Sequence, residues 1–165
     1  RIRIHGDFHL GQVLYTGRDF LVIDFEGEPA RPLSERRLKR SVLRDVAGMV
    51  RSFHYAAHGA IHLRASLQTE QRDSLSPWAE AWSSYMSAAF LKAYFETVRG
   101  APFIPVDADQ RTALFEAFLL EKAVYELGYE INNRPAWLAI PARGLQTILD
   151  QSPTRQGTPA RDSGR

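Results

Sequence analysis

The stretch His5-Gly6-Asp7-Phe8-His9-Leu10-Gly11-Gln12 leads directly into a predicted β-hairpin. The strands of this hairpin are two largely apolar segments, residues 12–16 and 20–25. Between them lies Gly17-Arg18-Asp19, which suits a three-residue turn. The second strand continues into Ile23-Asp24-Phe25-Glu26-Gly27. The hairpin therefore joins two short segments that each carry acidic side chains.

Three polar side chains are expected to converge at one end of the hairpin, because a hairpin folds its two flanks back on each other. These are Asp7, Gln12 and Asp24. Carboxylates crowded at one point repel unless a cation or a reacting hydroxyl balances them, which indicates phosphoryl transfer. In kinase catalytic loops an Asp accepts the substrate hydroxyl proton, and an amide residue five positions later binds a metal ion.

This pattern assigns a role to each polar residue near the hairpin. Asp7 is the predicted catalytic base, and it would orient an acceptor hydroxyl towards the γ-phosphate of ATP. Gln12 and Asp24 are the predicted ligands of Mg²⁺ and, through it, of the nucleotide phosphates. Glu26, close to Asp24, is a further candidate metal ligand. His9 is expected to brace the loop or to face the phosphates, and it is included among the predicted substrate-binding residues.

Two other interpretations of the first segment stay open at this point. Asp7 and Asp24 could be turn residues that cap strand ends, although three matching features at the right separations weigh against this. His5, Asp7 and His9 would alternate onto one face of a strand, and such a set could build a zinc or hydrolase site. The downstream histidines at helical spacing are interpreted as a partly exposed helix face: His54, His58 and His62.

Composition limits the class of protein. The chain has 165 residues, of which 44% are hydrophobic and 24% charged, as expected of one globular domain. It has no cysteine, which excludes disulfides and thiolate zinc sites, and its net charge of +2 is too weak to indicate a nucleic-acid partner. No apolar run approaches the roughly 18 residues of a membrane span, and no signal peptide is recognisable. We therefore expect a cytoplasmic protein without membrane contact.

An α+β organisation is predicted, with a small β element followed by helices. Residues 27–40 are predicted to form a loop, followed by a helix with apolar positions at Val42, Val46, Met49, Val50 and Phe53. Ser76-Pro77 is the predicted start of a helix that ends near Val98. Asp107 and Gln110 resemble a capping box at the start of the next helix, and Pro141 is the predicted start of the last. Residues 1–150 are predicted to form one lobe, and residues 151–165 a disordered tail.

The segment from Lys122 to Glu130, continued by Asn132 to Trp137, allows two interpretations. Lys122 and Glu126 are spaced i,i+4, which is typical of a modest ion pair on a helix surface. Charged and aromatic side chains together also suit a sugar site, because charged groups bind hydroxyl pairs and aromatic faces cover the ring. Composition alone favours the surface pair. Asp45, at the start of the first long helix, is predicted either to cap that helix or to tether the catalytic loop.

The chain resembles the maltokinases, a bacterial branch of the aminoglycoside-phosphotransferase-like kinases. The motifs that carry this resemblance are the stretch from His5 to Gln12 quoted above, Ile23-Asp24-Phe25-Glu26-Gly27-Glu28-Pro29, Arg44-Asp45-Val46-Ala47-Gly48-Met49-Val50-Arg51-Ser52-Phe53, Lys122-Ala123-Val124-Tyr125-Glu126 and Asn133-Arg134-Pro135. The resemblance implies the mainly helical C-terminal lobe of a protein-kinase-like fold. It also implies ATP- and Mg²⁺-dependent phosphorylation of maltose to maltose 1-phosphate, with Lys122, Tyr125 and Glu126 as maltose contacts.

The resemblance carries expectations about the rest of the protein as well. Members of this branch also occur fused to trehalose synthase, which makes that enzyme a candidate partner. The N-terminal lobe of such kinases carries the phosphate-covering loop and a lysine that pairs with nucleotide phosphates. Nothing before Arg1 corresponds to it, so we expect this chain to be the C-terminal part of something longer. Alone, it is expected to bind ATP poorly and not to turn over.

Overall fold

The structure is a computed structural model that describes residues 1–151. Apart from Gln151, which ends the last helix, the predicted tail over residues 151–165 lies outside the described residues. The division into a lobe and a tail therefore stays a prediction. No helix among residues 1–151 is both long enough and apolar enough to span a membrane.

The predicted hairpin is present, with shorter strands than expected. Strand β1 (Val13–Tyr15) pairs antiparallel with β2 (Phe20–Val22), and Tyr15 lies opposite Phe20. The turn is closed by the backbone N–H of Thr16, which donates to the Asp19 carbonyl at 2.9 Å. Asp24 has a φ of +61°, in the left-handed region, and extended backbone cannot continue through it. This explains why β2 ends before the predicted boundary at residue 25.

Helices make up most of the described residues, and with the two-stranded sheet they give the mainly helical architecture expected. Their bounds are α1 (Leu33–Arg36), α2 (Leu43–His62), α3 (Thr69–Thr97), α4 (Ala108–Asn133) and α5 (Ala139–Gln151). A short 3₁₀ turn, Leu10–Gln12, precedes β1, and another, Pro135–Trp137, precedes α5.

Several predicted boundaries are wrong for identifiable reasons. α3 begins at Thr69, well before Ser76-Pro77, because Gln68 and Gln71 cap each other's backbone N–H groups there and the helix continues through Pro77. The predicted loop over residues 27–40 contains the one-turn helix α1. The segment before His5, expected as a strand, makes only an isolated antiparallel bridge between Ile2 and Arg40.

Helix α2 is the centre of the molecule and packs against α3, α4 and α5. Its buried apolar side chains form most of the core: Val46, Ala47, Met49 and Phe53, with Leu43 fully buried at the start of the helix. Ala123 of α4 and Ile140 of α5 complete that core. The capping prediction for α4 is confirmed, because the Asp107 carboxylate accepts the backbone N–H of Gln110 at 2.7 Å. α2 and α4 thus form a rigid wall beside the loop that carries Asp7.

Candidate active site

The loop before Asp7 is tied to the first turn of α2 through Asp45. The backbone N–H groups of His5 and Gly6 donate to the two carboxylate oxygens of Asp45 at 2.7 and 2.9 Å. Burial raises the pKa of Asp45, although these two hydrogen bonds and nearby positive charge act in the opposite direction. Of the two roles predicted for Asp45, the structure therefore shows the tether.

The His5 side chain joins the loop before β1 to the segment after β2. Its Nδ1 accepts the backbone N–H of Asp7 at 3.3 Å, so Nε2 carries the hydrogen and donates to the Ile23 carbonyl at 2.7 Å. The ring is buried and lies against Phe8 and Phe25, with centroid distances of 5.6 and 5.1 Å. Both ring nitrogens are thus committed to hydrogen bonds, which argues against the zinc interpretation of His5, Asp7 and His9.

Helix α2 approaches this loop closely because residue 48 is a glycine. A Cβ at Gly48 would lie 2.7 Å from the carbonyl oxygen of Phe8, a backbone atom that has little room to move. The loop that carries Asp7 is therefore held by two residues of α2: Asp45 accepts its backbone N–H groups, and Gly48 lets the helix come into close contact with it. Such double attachment fixes the position of a reacting group.

The Asp7 carboxylate lies between two cationic or potentially cationic groups. His9 Nε2 is 3.6 Å from Oδ2, and Lys122 Nζ of α4 is 3.7 Å from Oδ1. His9 is itself oriented, because its Nδ1 accepts the backbone N–H of Gly11 at 3.0 Å. His9 and then Lys122 lower the pKa of Asp7, while partial burial acts in the opposite direction. Asp7 is therefore ionised at neutral pH and can accept a proton or orient a hydroxyl.

The two predicted metal ligands contact each other at the base of the hairpin. The Gln12 side-chain Nε2 donates to Asp24 Oδ2 at 3.0 Å, and the backbone N–H of Ile23 donates to the Gln12 carbonyl at 3.0 Å. The Gln12 amide nitrogen therefore faces the exposed Asp24 carboxylate, and a half-turn of the amide would set its oxygen there instead, a donor pair that suits a hard cation such as Mg²⁺. The side chain of Glu26 is also exposed. A shared pocket for Asp7, Gln12 and Asp24 stays a prediction.

A cavity of about 880 Å³ opens beside Asp7, between α2, α4 and the turn before α5. All four predicted substrate-binding residues line it: His9, Lys122, Tyr125 and Glu126. Its walls also carry four further residues of the segment considered as a sugar site, Tyr129, Glu130, Arg134 and Trp137, together with Glu28 and Tyr55, to which the sequence assigned no such role. The cavity thus combines carboxylates, cations and aromatic faces next to the predicted catalytic base.

The floor of the cavity contains two ion pairs. Arg51 of α2 donates through Nε to Glu126 Oε2 at 2.9 Å, and both side chains are buried. Burial raises the pKa of Glu126, and the Arg51 guanidinium opposes this. The Glu130 carboxylate, which is 1% exposed, accepts a hydrogen bond from the Tyr55 hydroxyl at 3.1 Å. It also accepts hydrogen bonds from Nε and Nη2 of Arg134 at 3.0 and 2.6 Å.

These ion pairs correct the surface interpretation of Lys122 and Glu126. Lys122 extends towards Asp7, whereas Glu126 is paired with Arg51 on the neighbouring helix. Arg51 lies inside the apolar pattern of α2, so helical spacing alone gave no signal that it is paired across the core. The i,i+4 spacing of Glu126, Glu130 and Arg134 was the available signal that one face of α4 is charged.

Tyr125 completes the wall nearest to Asp7. The Lys122 ammonium lies over its ring, 5.2 Å from the centroid. Burial and then the Glu28 carboxylate raise the pKa of Tyr125 to about 12. The phenol therefore keeps its proton at neutral pH and is a hydrogen-bond donor at the cavity wall.

Comparison with known proteins finds no matching family model, but it finds similar sequences. The chain is 29% identical over 155 residues to a glucosamine kinase from Streptacidiphilus jiangxiensis, an alignment that covers 91% of this chain and 32% of that protein. It is 32% identical over 148 residues to a glucosamine kinase from Mycolicibacterium smegmatis (strain ATCC 700084 / mc(2)155), covering 89% of this chain and 34% of that one. The chain thus spans about a third of the length of these curated relatives.

Solved structures give the same result. A glucosamine kinase in complex with glucosamine, ADP and inorganic phosphate matches with a TM-score of 0.73 and 26% identity, over 88% of this chain and 34% of that one. Crystal form A of glucosamine kinase matches with a TM-score of 0.73 and 27% identity, over 90% and 34% of the two chains. Sequence and fold together suggest a sugar-kinase-like family for this chain, and they do not support maltokinase specifically.

Proposed function

We propose that this chain carries the catalytic base and the acceptor-sugar site of an ATP-dependent sugar kinase. The observation that carries the proposal is the placement of Asp7 on the wall of the large polar and aromatic cavity. Amino sugars are the proposed acceptor class. The names of the similar proteins support this choice, as do the carboxylates on the cavity wall.

In the proposed reaction, a sugar hydroxyl oxygen attacks the γ-phosphorus of ATP. The new O–P bond forms as the bond to the β–γ bridging oxygen breaks, ADP leaves, and the hydroxyl proton passes to Asp7. Lys122 and His9 keep Asp7 ionised before the reaction and hold its carboxylate in place. Because Asp7 is tethered through its loop to Asp45, little reorganisation is needed when the sugar binds.

Gln12 and Asp24 would hold Mg²⁺ at the base of the hairpin, where the Gln12 amide contacts the Asp24 carboxylate and would turn its oxygen towards the ion. When bound, the ion would neutralise charge on the nucleotide phosphates. The chain's own contribution there is to fix the two side chains: the Gln12 amide donates to Asp24, and the left-handed backbone at Asp24 directs that residue away from β2. Glu26 is a possible additional ligand in this proposal.

Sugar recognition would use two kinds of residue in the cavity, carboxylates and aromatic rings. Glu126 uses one carboxylate oxygen for Arg51 and can still accept hydrogen bonds from sugar hydroxyls or from an ammonium group through the other. Glu130 is buried, and its two oxygens hold Tyr55 and Arg134 in the cavity wall. Trp137 and Tyr125 offer aromatic faces to the sugar ring. Tyr125 adds a hydroxyl donor. This arrangement supports recognition of a small polyhydroxylated molecule more than recognition of an extended polymer.

Maltose is the second candidate acceptor, and the motif resemblance to maltokinases is its support. With maltose, the product would be maltose 1-phosphate, and an association with trehalose synthase would follow from the same resemblance. Further alternatives are an aminoglycoside acceptor, which would need a strongly acidic pocket, and a non-catalytic sugar-binding domain. The mixed charge of the Lys122 region weighs against the aminoglycoside, and the intact set of Asp7, Gln12 and Asp24 weighs against a non-catalytic domain.

Calorimetry on the 165-residue chain can test the sugar site directly, because every residue of the cavity wall belongs to the described part. Glucosamine, N-acetylglucosamine, glucose, maltose and an aminoglycoside would be titrated in parallel. Saturable binding of glucosamine in preference to the other four is the expected result. If maltose binds best, it replaces glucosamine as the favoured acceptor. If none of the five compounds shows saturable binding, the proposal is contradicted.

Phosphoryl transfer is tested separately. The assay uses the protein expressed from the complete open reading frame in which residues 1–165 are encoded, together with whatever segments flank them there. We expect transfer from ATP to the sugar that binds best, dependent on Mg²⁺. The Asp7→Asn variant should keep sugar binding but lose about 10²- to 10⁴-fold in rate, as is usual when a general base is removed. Full activity of that variant would remove Asp7 from the mechanism.

A further inference from the structure

A second cluster of metal-binding side chains lies between α2 and α3. His54 and His58 are one helical turn apart on α2, and both face Glu80 of α3. Glu80 Oε1 is 3.0 Å from His58 Nε2 and 3.9 Å from His54 Nε2. Both histidines are buried, each with 7% of its surface exposed, which contradicts the expectation that they form a partly exposed helix face.

Three of the four imidazole nitrogens in this cluster lack hydrogen-bond partners among the described residues. Among the described residues, neither Nδ1 nor Nε2 of His54 has one, and Nε2 of His58 meets Glu80 in a poorly aligned contact. Buried polar atoms are nearly always satisfied, so orphan lone pairs inside a helix interface point to a ligand. None of the three residues lines the sugar cavity, so the proposed kinase function does not explain them.

We propose that His54, His58 and Glu80 bind one transition-metal dication, such as Zn²⁺ or Co²⁺, which bridges α2 and α3. One ligand atom from each residue can be chosen so that the three lie within 4.8 Å of one another. Zinc bonds of about 2.0–2.2 Å require a slightly tighter set, which small rotations of the side chains would supply. Two imidazoles and a carboxylate leave a fourth position for water.

The donor set selects the class of metal. Imidazole nitrogen suits Zn²⁺, Co²⁺ and Ni²⁺, whereas Mg²⁺ prefers oxygen ligands, so this site and the Gln12–Asp24 pair should discriminate between ions. Neither ring nitrogen of His54 has a hydrogen-bond partner among the described residues, so one of them can offer its lone pair to a metal. The positive charges nearest the cluster are Arg51, which is balanced by Glu126, and Arg143, whose residue is exposed to solvent.

A metal bridge would reinforce the packing of a long helix that buries few of its residues. α3 has 29 residues, yet its buried residues are only Ala79 and Ser83, and both lie next to Glu80. Trp78 and Tyr85 of α3 are largely exposed, at 74% and 73%, and its apolar contacts with α2 include Trp82 and Phe90, which pack edge-on against Phe53. The bridge would therefore fix α3 at the centre of its contact with α2, and we infer a structural role for the metal.

The test uses the metal-free 165-residue chain with Zn²⁺ and Co²⁺ as probes. One equivalent should bind, Co²⁺ should give the visible absorption bands of a nitrogen-containing site, and Zn²⁺ should raise the thermal midpoint. Excess Mg²⁺ should not displace either ion. Glu80→Gln and His58→Gln should each weaken binding by about 10-fold or more, because each removes a direct ligand. Asp73→Asn, an exposed acid on α3, and His62→Gln, the next histidine on α2, are the matched controls.

The possible outcomes are distinguishable. Loss of binding in Glu80→Gln but not in Asp73→Asn or Asp7→Asn would establish this cluster as the site. Unchanged affinity in both Glu80→Gln and His58→Gln, or no stoichiometric binding to the wild-type chain, would overturn the proposal. Circular dichroism checks that each variant is folded. Glu80→Gln is the decisive variant because it keeps the size and hydrogen-bonding capacity of the side chain.

Discussion

Lys122 Nζ on α4 lies 3.7 Å from Asp7 Oδ1, so the helix that lines the cavity reaches the carboxylate on the loop before β1. The contact is partly buried, with 28% of the Lys122 side chain and 15% of the Asp7 side chain exposed. It means that the predicted base and the predicted sugar-binding segment belong to one electrostatic unit. A substitution at either residue should therefore change the electrostatic environment of the other.

The first prediction concerns the protonation of Asp7. Its pKa lies below the ordinary value of 3.8, so ionised Asp7 stabilises the fold above that pH, and this contribution is lost as pH falls through the folded pKa. Lys122→Gln removes one cause of the lowering, so the pKa of Asp7 should rise. Carboxyl NMR of Asp7 and the acid limb of the pH–rate profile should both move to higher pH. Lys92→Gln, on exposed α3 surface, should move neither.

The second prediction compares two glycines in helices. Gly48→Ala would place a Cβ 2.7 Å from the Phe8 carbonyl and push the Asp7 loop away, at a cost of about 1–3 kcal/mol of folding free energy. Gly128→Ala in α4 meets no atom within 4 Å, and it should stabilise the chain by about 0.5–1 kcal/mol. Urea unfolding measures both.

The same pair also separates loop placement from stability. If Gly48 matters only for packing, a stabilising background such as Gly128→Ala should restore sugar binding and transfer in Gly48→Ala. Gly128→Ala should restore part of the lost stability, and we expect activity to stay low in the double variant, because the displaced Asp7 no longer faces the sugar. Equal unfolding free energies for Gly48→Ala and the wild type would contradict the close approach.

How far the sequence predicts this molecule can be argued from particular residues. The hairpin and the Asp107 cap were predictable because each depends on local chemistry: apolar strands around a glycine turn, and a side-chain acceptor three residues before an N–H. The tether by Asp45 joins segments 40 residues apart, and the sequence left it open beside a helix-capping role. The pairing of Gln12 with Asp24 follows from the same hairpin geometry.

What the sequence did not predict depends on contacts between distant segments. Arg51 pairs with Glu126 across two helices, and periodicity places both on helices without saying which faces meet. The burial of His54 and His58 has the same origin, because it depends on where α3 crosses α2. The start of α3 was missed because Gln68 and Gln71 cap each other, whereas Ser76-Pro77 offered a stronger but unused start signal.

The third prediction addresses the buried pair of Arg51 and Glu126. Arg51→Met leaves the Glu126 carboxylate buried without its partner, which should cost about 3–5 kcal/mol at neutral pH. Burial already raises the pKa of Glu126, and losing Arg51 should raise it further. A carboxyl group whose pKa is raised by folding stabilises the fold at pH values below its pKa in the unfolded chain, here 4.5. That stabilisation is lost as the pH rises through the pKa in the folded state. Relative to wild type, the variant should therefore recover stability as pH falls.

A double variant checks the cause. Arg51→Met with Glu126→Gln removes the charge, and it should recover part of the stability lost in Arg51→Met and abolish the pH-dependent difference. If the double variant loses the sum of the two single changes, the two residues do not interact and the ion pair is not what stabilises this part of the core.

The fourth prediction concerns Trp137 at the far end of the cavity. The Arg134 guanidinium lies over its ring, 4.9 Å from the centroid, and His62 packs at 5.0 Å, so the ring is held in one orientation. Trp137→Ala should weaken sugar binding about tenfold, because truncating an aromatic anchor typically costs more than 1 kcal/mol of binding free energy. Trp78→Ala, at an exposed tryptophan on α3, should leave the affinity unchanged. Calorimetry with the preferred sugar gives both values, and Trp137→Phe should restore most of the loss if ring stacking is the cause. Equal affinities for Trp137→Ala and the wild type would place the sugar ring elsewhere in the cavity, nearer to Tyr125.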